Sequence, residues 1–273
     1  HGRRTRHRHR QLAGRRDQPA AAGDEHAAVG EQRRDVVEAA RAAGVKFSVG
    51  YHQRCQAASQ ALKRMVDDGR LGEPYYARAQ ALRRRGIPGW GVFTQKDKQG
   101  GGPLIDIGVH ILDLTLWLMG HPKPVSVSGI SVTKFGTREG VLGLMGQWDP
   151  KNYTVEDFAA ALVKFDTGAA LVLEASFCAN IEKDIFTTQI LGTEGGLTTS
   201  PPTFCREESG SLTVSQITSL KEVQPHAENI RRFIEAIVND TEPLVTGEQA
   251  VMVAEIVDAI YESQESGREV RLD

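Results

Sequence analysis

Three titratable side chains and one tryptophan recur at helical spacing within an otherwise apolar stretch. Asp106, His110, Asp113 and Trp117 occupy positions i, i+4, i+7 and i+11 of the segment 100–120. This spacing places all four on one stripe of a helix. A polar stripe on a buried helix is costly unless it is hydrogen-bonded or faces a cavity. Carboxylates in line with an imidazole can transfer protons or bind a metal ion, so the stripe predicts a functional site that faces a cavity.

Two other interpretations of the same residues are open. In one, Asp106 caps the helix and His110 is a hydrogen-bonded histidine of the core. Three titratable groups in line, directly behind a triple-glycine turn at 100–102 that lets a ligand approach the backbone, favour a functional site instead. In the other, Asp106, His110 and Asp113 bind a metal ion. No further histidine or cysteine cluster in the sequence supports that metal site.

The elements that must position this stripe are amphipathic helices and short strands. Apolar periodicity predicts helices over 57–68, 230–238 and 250–260, besides the buried helix that follows the triple-glycine turn, with a capping box at Thr246–Gln249 before the last. Strands are predicted over 75–82, 125–132, 158–165, 169–177 and 186–191. The turn Asp166-Thr167-Gly168 predicts a hairpin, and a slip of the apolar phase at Gly129 predicts a bulge. This order indicates an α+β fold with a mainly antiparallel sheet.

A single αβ unit precedes these elements. Residues 35–44 form an Ala-rich helical pattern that ends at Gly44, and residues 45–50 alternate as a strand. One such unit cannot bury its own faces, and the rest of a doubly wound sheet would lie upstream. No GxGxxG sequence precedes it. We therefore interpret 35–50 as the remnant of a dinucleotide-binding domain and 51–273 as a separate substrate and oligomerisation domain.

Residues 1–34 differ in composition from the rest of the chain. They contain nine arginines, no lysine and four acidic residues, a net +5, which leaves −7 for the remainder of a chain with a formal charge of −2. The segment has too few apolar groups to pack, so we predict that it is disordered or is not native domain sequence, for example an out-of-frame translation. Its bias towards arginine, without lysine, is atypical of a nucleic-acid or membrane arm.

Composition narrows the class of protein further. No apolar run reaches the roughly 18 residues that a membrane-spanning helix needs. Cys55, Cys178 and Cys205 lie far apart, without a CxxC pair, which favours a reducing cytoplasm over a disulfide framework. We predict a cytoplasmic protein that binds neither nucleic acid nor membrane.

The segment around the stripe resembles the signature of a known enzyme family. The pattern Gly-Gly-x-Leu-x-Asp106-x-Gly-x-His110-x-x-Asp113, followed by a short apolar run and Gly120, is similar to that of the glucose–fructose oxidoreductase / inositol dehydrogenase / MocA-like family. The order of the elements over about 35–273 is similar as well. The resemblance implies a Rossmann domain followed by an α/β domain whose open sheet forms a homo-oligomer. It also implies reversible hydride transfer between a sugar or polyol carbon and C4 of NAD or NADP.

The resemblance also implies roles for individual residues. His110 would be the general acid/base on the substrate hydroxyl, and Asp106 would orient the imidazole and stabilise its charged form. Substrate-binding positions would be Tyr51, His52, Arg54, Trp90 and Asp113. The first three follow the last Rossmann strand, where the family places side chains that face the substrate and the nicotinamide. Plain packing is the alternative for Trp90, since Gly91 stands where the family often has arginine.

The sequence departs from the family upstream of residue 35. The Glu-Lys-Pro motif, whose lysine assists proton transfer, and the glycine loop are both absent from residues 1–34. Our main interpretation is therefore an N-terminally incomplete NAD(P)-dependent oxidoreductase, whose own activity is in question, acting on a sugar or polyol. The alternatives are a non-catalytic binding or assembly module and a metal-dependent isomerase or lyase.

Overall fold

A single nine-stranded sheet organises the described part of the protein, residues 34–272 of a computed structural model. The strands are β1 (Pro74–Leu82), β2 (Pro124–Val132), β3 (Phe158–Phe165), β4 (Ala170–Ser176), β5 (Ile185–Gly192), β6 (Gly196–Thr199), β7 (Pro202–Glu208), β8 (Ser211–Gln216) and β9 (Val270–Arg271). Their spatial order is β8-β7-β6-β5-β1-β4-β3-β2-β9. In this sheet β1 and β4 pair in parallel and all other neighbours are antiparallel, which confirms the predicted α+β fold with a mainly antiparallel sheet.

Residues 34–272 contain six helices, of which the second, the fourth and the sixth make the closest contacts with the strands. They are α1 (34–42), α2 (Ala57–Asp67), α3 (Lys96–Gln99), α4 (Val109–Met119), α5 (Pro225–Val238) and α6 (Gly247–Ser266), with 3-10 turns at His52–Cys55 and Pro150–Asn152. Side chains of β1 alternate across the sheet, so that Ala77, Ala79 and Ala81 are fully buried beneath the helices. These small residues let α4 approach the sheet closely.

Helix α4 is the centre of the core. Every residue from 111 to 119 is buried, and the helix ends at Gly120, which adopts the left-handed conformation. Lys96–Met119 is long and apolar enough to cross a membrane, but 78% of its most apolar window is buried inside the protein. The apolar character of this stretch therefore reflects burial in the core.

The predicted hairpin and capping box are confirmed. Gly168 has a φ of +86°, and its N–H donates to Phe165 O at 3.0 Å. Thr246 Oγ1 accepts from Gln249 N, and the Gln249 side chain accepts from Thr246 N. The strands β1 to β5 lie within two residues of their predicted bounds, whereas β6, β7, β8 and the short β9 were not predicted.

The predicted bulge at Gly129 is wrong. The register of β2 against β3 runs unbroken from Ser126 to Val132, and the irregularity lies between Pro124 and Ser126. A Cβ atom on Gly129 would lie 2.8 Å from Ile260 Cγ2 of α6. Glycine is present at 129 because α6 packs closely on β2, and this contact explains the slip in the apolar pattern.

The N-terminal αβ unit is confirmed only in its helix. Helix α1 is followed by Gly44 with a φ of +64°, but residues 45–50 form no strand, which corrects the prediction. Without a neighbouring strand among residues 34–272, their backbone has no ladder to join. They pack instead against the start of α6, where Ser48 Oγ donates to Val245 O at 2.9 Å. The predictions for 1–34 fall outside the described residues, except that Arg34 is helical and pairs with Glu255.

Candidate active site

The segment that carries Asp106 and His110 is anchored at its start by a buried carboxylate. A π-turn over Leu104–Gly108 leads into α4. Glu156 accepts hydrogen bonds from Gly102 N at 2.9 Å, Leu104 N at 3.2 Å and the Tyr261 hydroxyl at 3.0 Å. A Cβ atom on Gly102 would lie 2.1 Å from the backbone oxygen of Glu156, so only glycine fits there. The triple-glycine turn is thus needed for this close approach.

His110 has an enclosed ring nitrogen without a partner. Among residues 34–272, its Nδ1 is the one buried side-chain nitrogen or oxygen that makes no hydrogen bond. Burial, and to a smaller degree His52 and His226, lowers the pKa of His110 to about 4. The imidazole is therefore neutral at neutral pH and able to accept a proton.

An aromatic cluster surrounds the His110 ring. Tyr51 meets it edge-on at 5.9 Å between centroids, and His52 lies at 4.9 Å. His226, at the start of α5, stacks on His52 at 3.8 Å. Burial lowers the pKa of His52, and His226 adds to this effect, while a hydrogen bond to the Gly50 backbone opposes it. Tyr51 and His52 are thus beside His110, as the sequence analysis expected of the site.

Asp106 lies at the same site but does not hydrogen-bond to His110. Its nearest charged partner is Arg83, at 3.7 Å between Nη1 and Oδ2. Burial raises the pKa of Asp106, and Arg83 opposes this shift. No direct contact supports the expected role of Asp106 in orienting the imidazole. Both side chains nevertheless border the same two cavities.

Two cavities meet at this pair of residues. The first, here called the sheet-side cavity, has a volume of about 380 Å³ and is lined in part by His52, Arg83, Asp106, His110, Asp184 and Phe186. The second, the helix-side cavity, has a volume of about 450 Å³ and is lined in part by Val49, Tyr51, Gln99, Asp106, His110 and Ala254. More charged and polar side chains line the sheet-side cavity than the helix-side cavity, where aliphatic residues make up half of the lining. Asp106 and His110 can therefore contact two different molecules or two parts of a reacting pair.

Arg54 and Asp113 lie elsewhere, in contrast to the expectation that they bind substrate. Both side chains are fully buried, and the guanidinium holds the carboxylate with two hydrogen bonds of 2.9 and 2.6 Å. Arg54 Nη1 also donates to Leu244 O and to the Gln249 side chain. Burial raises the pKa of Asp113 to about 6, and Arg54 opposes the shift. Asp113 lies two turns deeper in the core than Asp106, and its charge is compensated inside the protein.

Trp90 lies outside both cavities, and the side chains of the alternative metal site do not come together. Trp90 is 54% exposed and packs edge-on against Phe93 at 6.2 Å. It lines neither cavity, so plain packing describes it better than a substrate platform. Asp113 is held by Arg54 and does not converge with Asp106 on a metal position. Within 34–272, no group of three His, Cys, Asp or Glu side chains is arranged to hold a metal ion.

Among the residues of the sheet-side cavity that the sequence analysis did not predict are Arg83, Asp184 and Phe186. They come from the end of β1 and the start of β5, which are neighbours in the sheet. The arginine run at 83–85, directly after a predicted strand, was the available signal. The pairing of β1 with β5 could not be read from the sequence, because about a hundred residues separate the two strands.

The sequence of this chain is similar to a family of oxidoreductases and to individual dehydrogenases. Residues 63–272 match the family model described as the oxidoreductase family, C-terminal alpha/beta domain. The chain is 37% identical over 242 residues to D-glucoside 3-dehydrogenase of Escherichia coli K12, covering 88% of this chain and 69% of that protein. It is 27% identical to scyllo-inositol 2-dehydrogenase (NAD(+)) of Bacillus subtilis 168, covering 86% of this chain and 65% of that protein.

Solved structures show the same fold. An oxidoreductase domain protein from Kribbella flavida superposes with a TM-score of 0.77 at 24% identity, covering 90% of this chain and 71% of that one. Levoglucosan dehydrogenase in complex with NADH superposes with a TM-score of 0.74 at 20% identity, covering 89% and 70%.

Proposed function

This chain belongs to the oxidoreductase family whose C-terminal alpha/beta domain its residues 63–272 match, and from that membership we propose that it serves NAD(P)-dependent oxidation or reduction of a sugar or polyol. The observation that carries the proposal is the position of His110, neutral and unpartnered at Nδ1, at the border of two cavities. The similar dehydrogenases act, by their names, on a glucoside and on an inositol.

His110 is the proposed acid/base. In the oxidative direction its imidazole takes the proton of the substrate hydroxyl, and in reduction it returns that proton to the carbonyl oxygen. A bound NAD(P)⁺ would supply the hydride acceptor for the same carbon. Asp106 borders the same space and stabilises the imidazolium that forms, through charge and not through a hydrogen bond. Enclosure of the site keeps the imidazole neutral until the substrate proton arrives.

We assign the two cavities to two parts of the reaction. The sheet-side cavity, with Arg83 and Asp106, suits the hydroxyl groups of a polyol. The helix-side cavity has apolar walls such as Val49 and Ala254 beside Tyr51, which suit the flat nicotinamide ring. Residues 51–273 then form the substrate domain, and 35–50 form the end of the dinucleotide-binding domain.

The chain's own residues fit only part of the cofactor. No GxGxxG sequence occurs in the 273 residues, and that loop normally cradles the pyrophosphate at a helix N-terminus. The proposal therefore assigns the nicotinamide end to the described residues and the phosphate and adenine parts to none of them. This gap is the observation that keeps a non-catalytic binding or assembly module as the second candidate.

Nicotinamide binding and hydride transfer separate the two candidates. For this chain alone we expect NADH to bind weakly or not at all in calorimetric titration, because the pyrophosphate site is incomplete. A fusion of residues 51–273 to the dinucleotide-binding domain of the E. coli relative should reduce NAD(P)⁺ in the presence of methyl β-D-glucoside or scyllo-inositol. A folded fusion that binds NADH but transfers no hydride from any neutral sugar would favour the non-catalytic module.

Two further proposals concern the surroundings of the protein. We propose a homo-oligomer formed through the sheet face opposite the helices, because Ile130 and Leu162 on that face are 52% and 37% exposed. Val172 lies directly across from Leu162 in the register and extends the apolar patch. We also propose a cytoplasmic location, in keeping with three cysteines that form no disulfide among residues 34–272.

A further inference from the structure

Arg83 reaches into the sheet-side cavity from the end of β1 with part of its guanidinium unused. Its Nη1 donates to Gly86 O at 3.3 Å and lies 3.7 Å from Asp106 Oδ2. Its guanidinium lies over the Phe177 ring, 5.5 Å from the centroid. Within 34–272, its Nε and Nη2 have no hydrogen-bond partner, and the side chain is 25% exposed.

The two arginines that follow in the sequence are used differently. Arg84 donates to Glu182 O at 2.9 Å, and Arg85 donates to Ala179 O at 3.0 Å and to the Asn180 side chain at 2.5 Å. Both therefore hold the loop over 178–184 in place. Arg83 is the member of this run that lines the sheet-side cavity and makes no side-chain hydrogen bond to that loop.

Gly86 makes room for this conformation of Arg83. A Cβ atom at position 86 would lie 2.4 Å from Arg83 Cδ and 2.8 Å from its Cβ. The ordinary backbone conformation of Gly86 does not by itself require glycine, since its φ is not positive. The lack of a side chain at 86 is thus explained by the space that the stem of Arg83 occupies.

The charges that line the cavity indicate what Arg83 binds. Arg83 contributes one positive charge, while Asp106 and Asp184 contribute two negative charges, and His52 and His110 are neutral. An anionic ligand would enter a cavity of net negative charge, which is unfavourable. A vicinal diol needs both donors and acceptors, and the Arg83 fork beside the Asp106 carboxylate offers both.

We propose that Arg83 and Asp106 together are the specificity-determining pair of the substrate site, and that they bind two adjacent hydroxyls of an uncharged sugar in preference to a sugar acid. This inference rests on the proposed function, because it takes the sheet-side cavity as the sugar site. The guanidinium donates from Nε and Nη2, and Asp106 accepts from a hydroxyl.

Binding of matched sugars to the purified chain tests this assignment without any need for turnover. Methyl β-D-glucoside and methyl β-D-glucuronide differ only at C6, where the glucuronide has a carboxylate in place of the hydroxymethyl group. Their dissociation constants can be measured by ligand-observed NMR titration. We expect the glucoside to bind about tenfold tighter or more, since like charges face the carboxylate. Arg83→Gln should weaken glucoside binding about tenfold or more, because it removes charge-assisted donors.

Two further variants make the comparison specific. Arg83→Lys keeps the charge but loses the planar fork, and it should also weaken glucoside binding. Arg78→Gln is the matched control, because Arg78 pairs with Glu174 on the exposed sheet face, and it should bind as the unmodified chain does. Circular dichroism of each variant verifies that the fold is intact, and Arg83→Lys serves if Arg83→Gln does not fold.

The outcomes separate this inference from the proposed function. Glucoside binding that persists unchanged in the Arg83 variants would overturn the inference and leave the sugar site standing. Tighter binding of the glucuronide would overturn it too and would make Arg83 a carboxylate ligand. Failure of the unmodified chain to bind either sugar would overturn both the inference and the proposed sugar site.

Discussion

The carboxylate of Glu156 accepts the backbone N–H of Gly102 at 2.9 Å, one turn before the segment that carries Asp106 and His110. Glu156 comes from the approach to β3, and the glycine turn comes from the approach to α4, so the contact joins two distant parts of the chain. Burial raises the pKa of Glu156, and its bonds to backbone N–H groups and to Tyr261 oppose the shift.

Replacing Glu156 by glutamine should loosen this start of the site. The amide would present N–H donors to backbone N–H groups, and one buried donor would lose its acceptor. We expect a loss of about 1–3 kcal/mol in the free energy of unfolding, measured by urea denaturation. Tyr261→Phe removes only one hydrogen bond to the same carboxylate and should cost about 1 kcal/mol. Equal stability of Glu156→Gln and the unmodified chain would argue against an anchoring role.

Removing the imidazole of His110 should affect turnover far more than folding. In the active fusion, His110→Ala should lower kcat by about 10²-fold or more, the usual scale for loss of a general acid/base. The melting temperature of the chain should change little, because the imidazole borders two cavities and has an unpartnered nitrogen. Trp90→Phe, at an exposed position outside both cavities, is the control. A core histidine would give the reverse result, with clear destabilisation and normal turnover.

Acidification should destabilise the chain partly through His110. Its pKa is about 4 in the folded protein and about 6.5 in an unfolded chain, so the unfolded state binds the extra proton between these values. Stability should therefore fall as pH drops from about 6.5 towards 4, by up to about 3 kcal/mol. Urea titrations at pH 7 and pH 5 should show a smaller difference for His110→Ala than for the unmodified chain. His121, whose pKa burial also lowers to about 4, should maintain part of the dependence.

Breaking the buried pair between Arg54 and Asp113 should unfold or strongly weaken the protein. Asp113→Asn leaves the Arg54 guanidinium buried without a compensating charge, which costs about 3–5 kcal/mol. Glu269→Gln breaks the exposed pair with Lys164 and should leave the free energy of unfolding nearly unchanged. A stable Asp113→Asn variant that loses sugar binding would return Arg54 and Asp113 to the substrate site.

Charging the open sheet face should alter the assembly state. Leu162→Lys places an ammonium group beside Val172, in the centre of the apolar patch, and should shift the sedimentation coefficient from oligomer to monomer. Lys164→Gln, two residues along the same strand and already solvated, should leave the assembly unchanged. A monomeric unmodified chain would contradict the proposed interface.

The sequence pattern predicted helices and strands better than it predicted which side chains pair with one another. Asp106 lies in the π-turn before α4 and His110 in the first turn of α4, and their spacing of four residues lets both border the same cavities. Asp113 continues the same helical stripe, but it lies in the middle of α4 and is fully buried. How deeply a residue of a helix is buried depends on which other parts of the chain pack against it. Arg54 could not be paired with Asp113 from spacing alone, because 59 residues separate them.

The misses among the strands have a similar cause. Gly129 was expected to mark a bulge, but a side chain at this position would collide with Ile260 of α6, which lies far along the chain. The strand expected over 45–50 satisfied the local pattern and lacked a neighbour to pair with. Local pattern predicts which residues can form a strand, and pairing depends on the rest of the sheet.

During synthesis, β1 emerges well before the strands with which it pairs. Arg78 of β1 meets Glu174 of β4 across 96 residues of chain, and β5 follows later still. A ribosome adds about 5–20 residues per second, so β1 waits roughly 5 to 20 s for its first partner. During that interval its alanine-rich face and its unpaired backbone N–H and C=O groups can associate with non-native segments. Synthesis at low temperature, or with a chaperone that shields nascent strands, should therefore raise the yield of correctly folded protein.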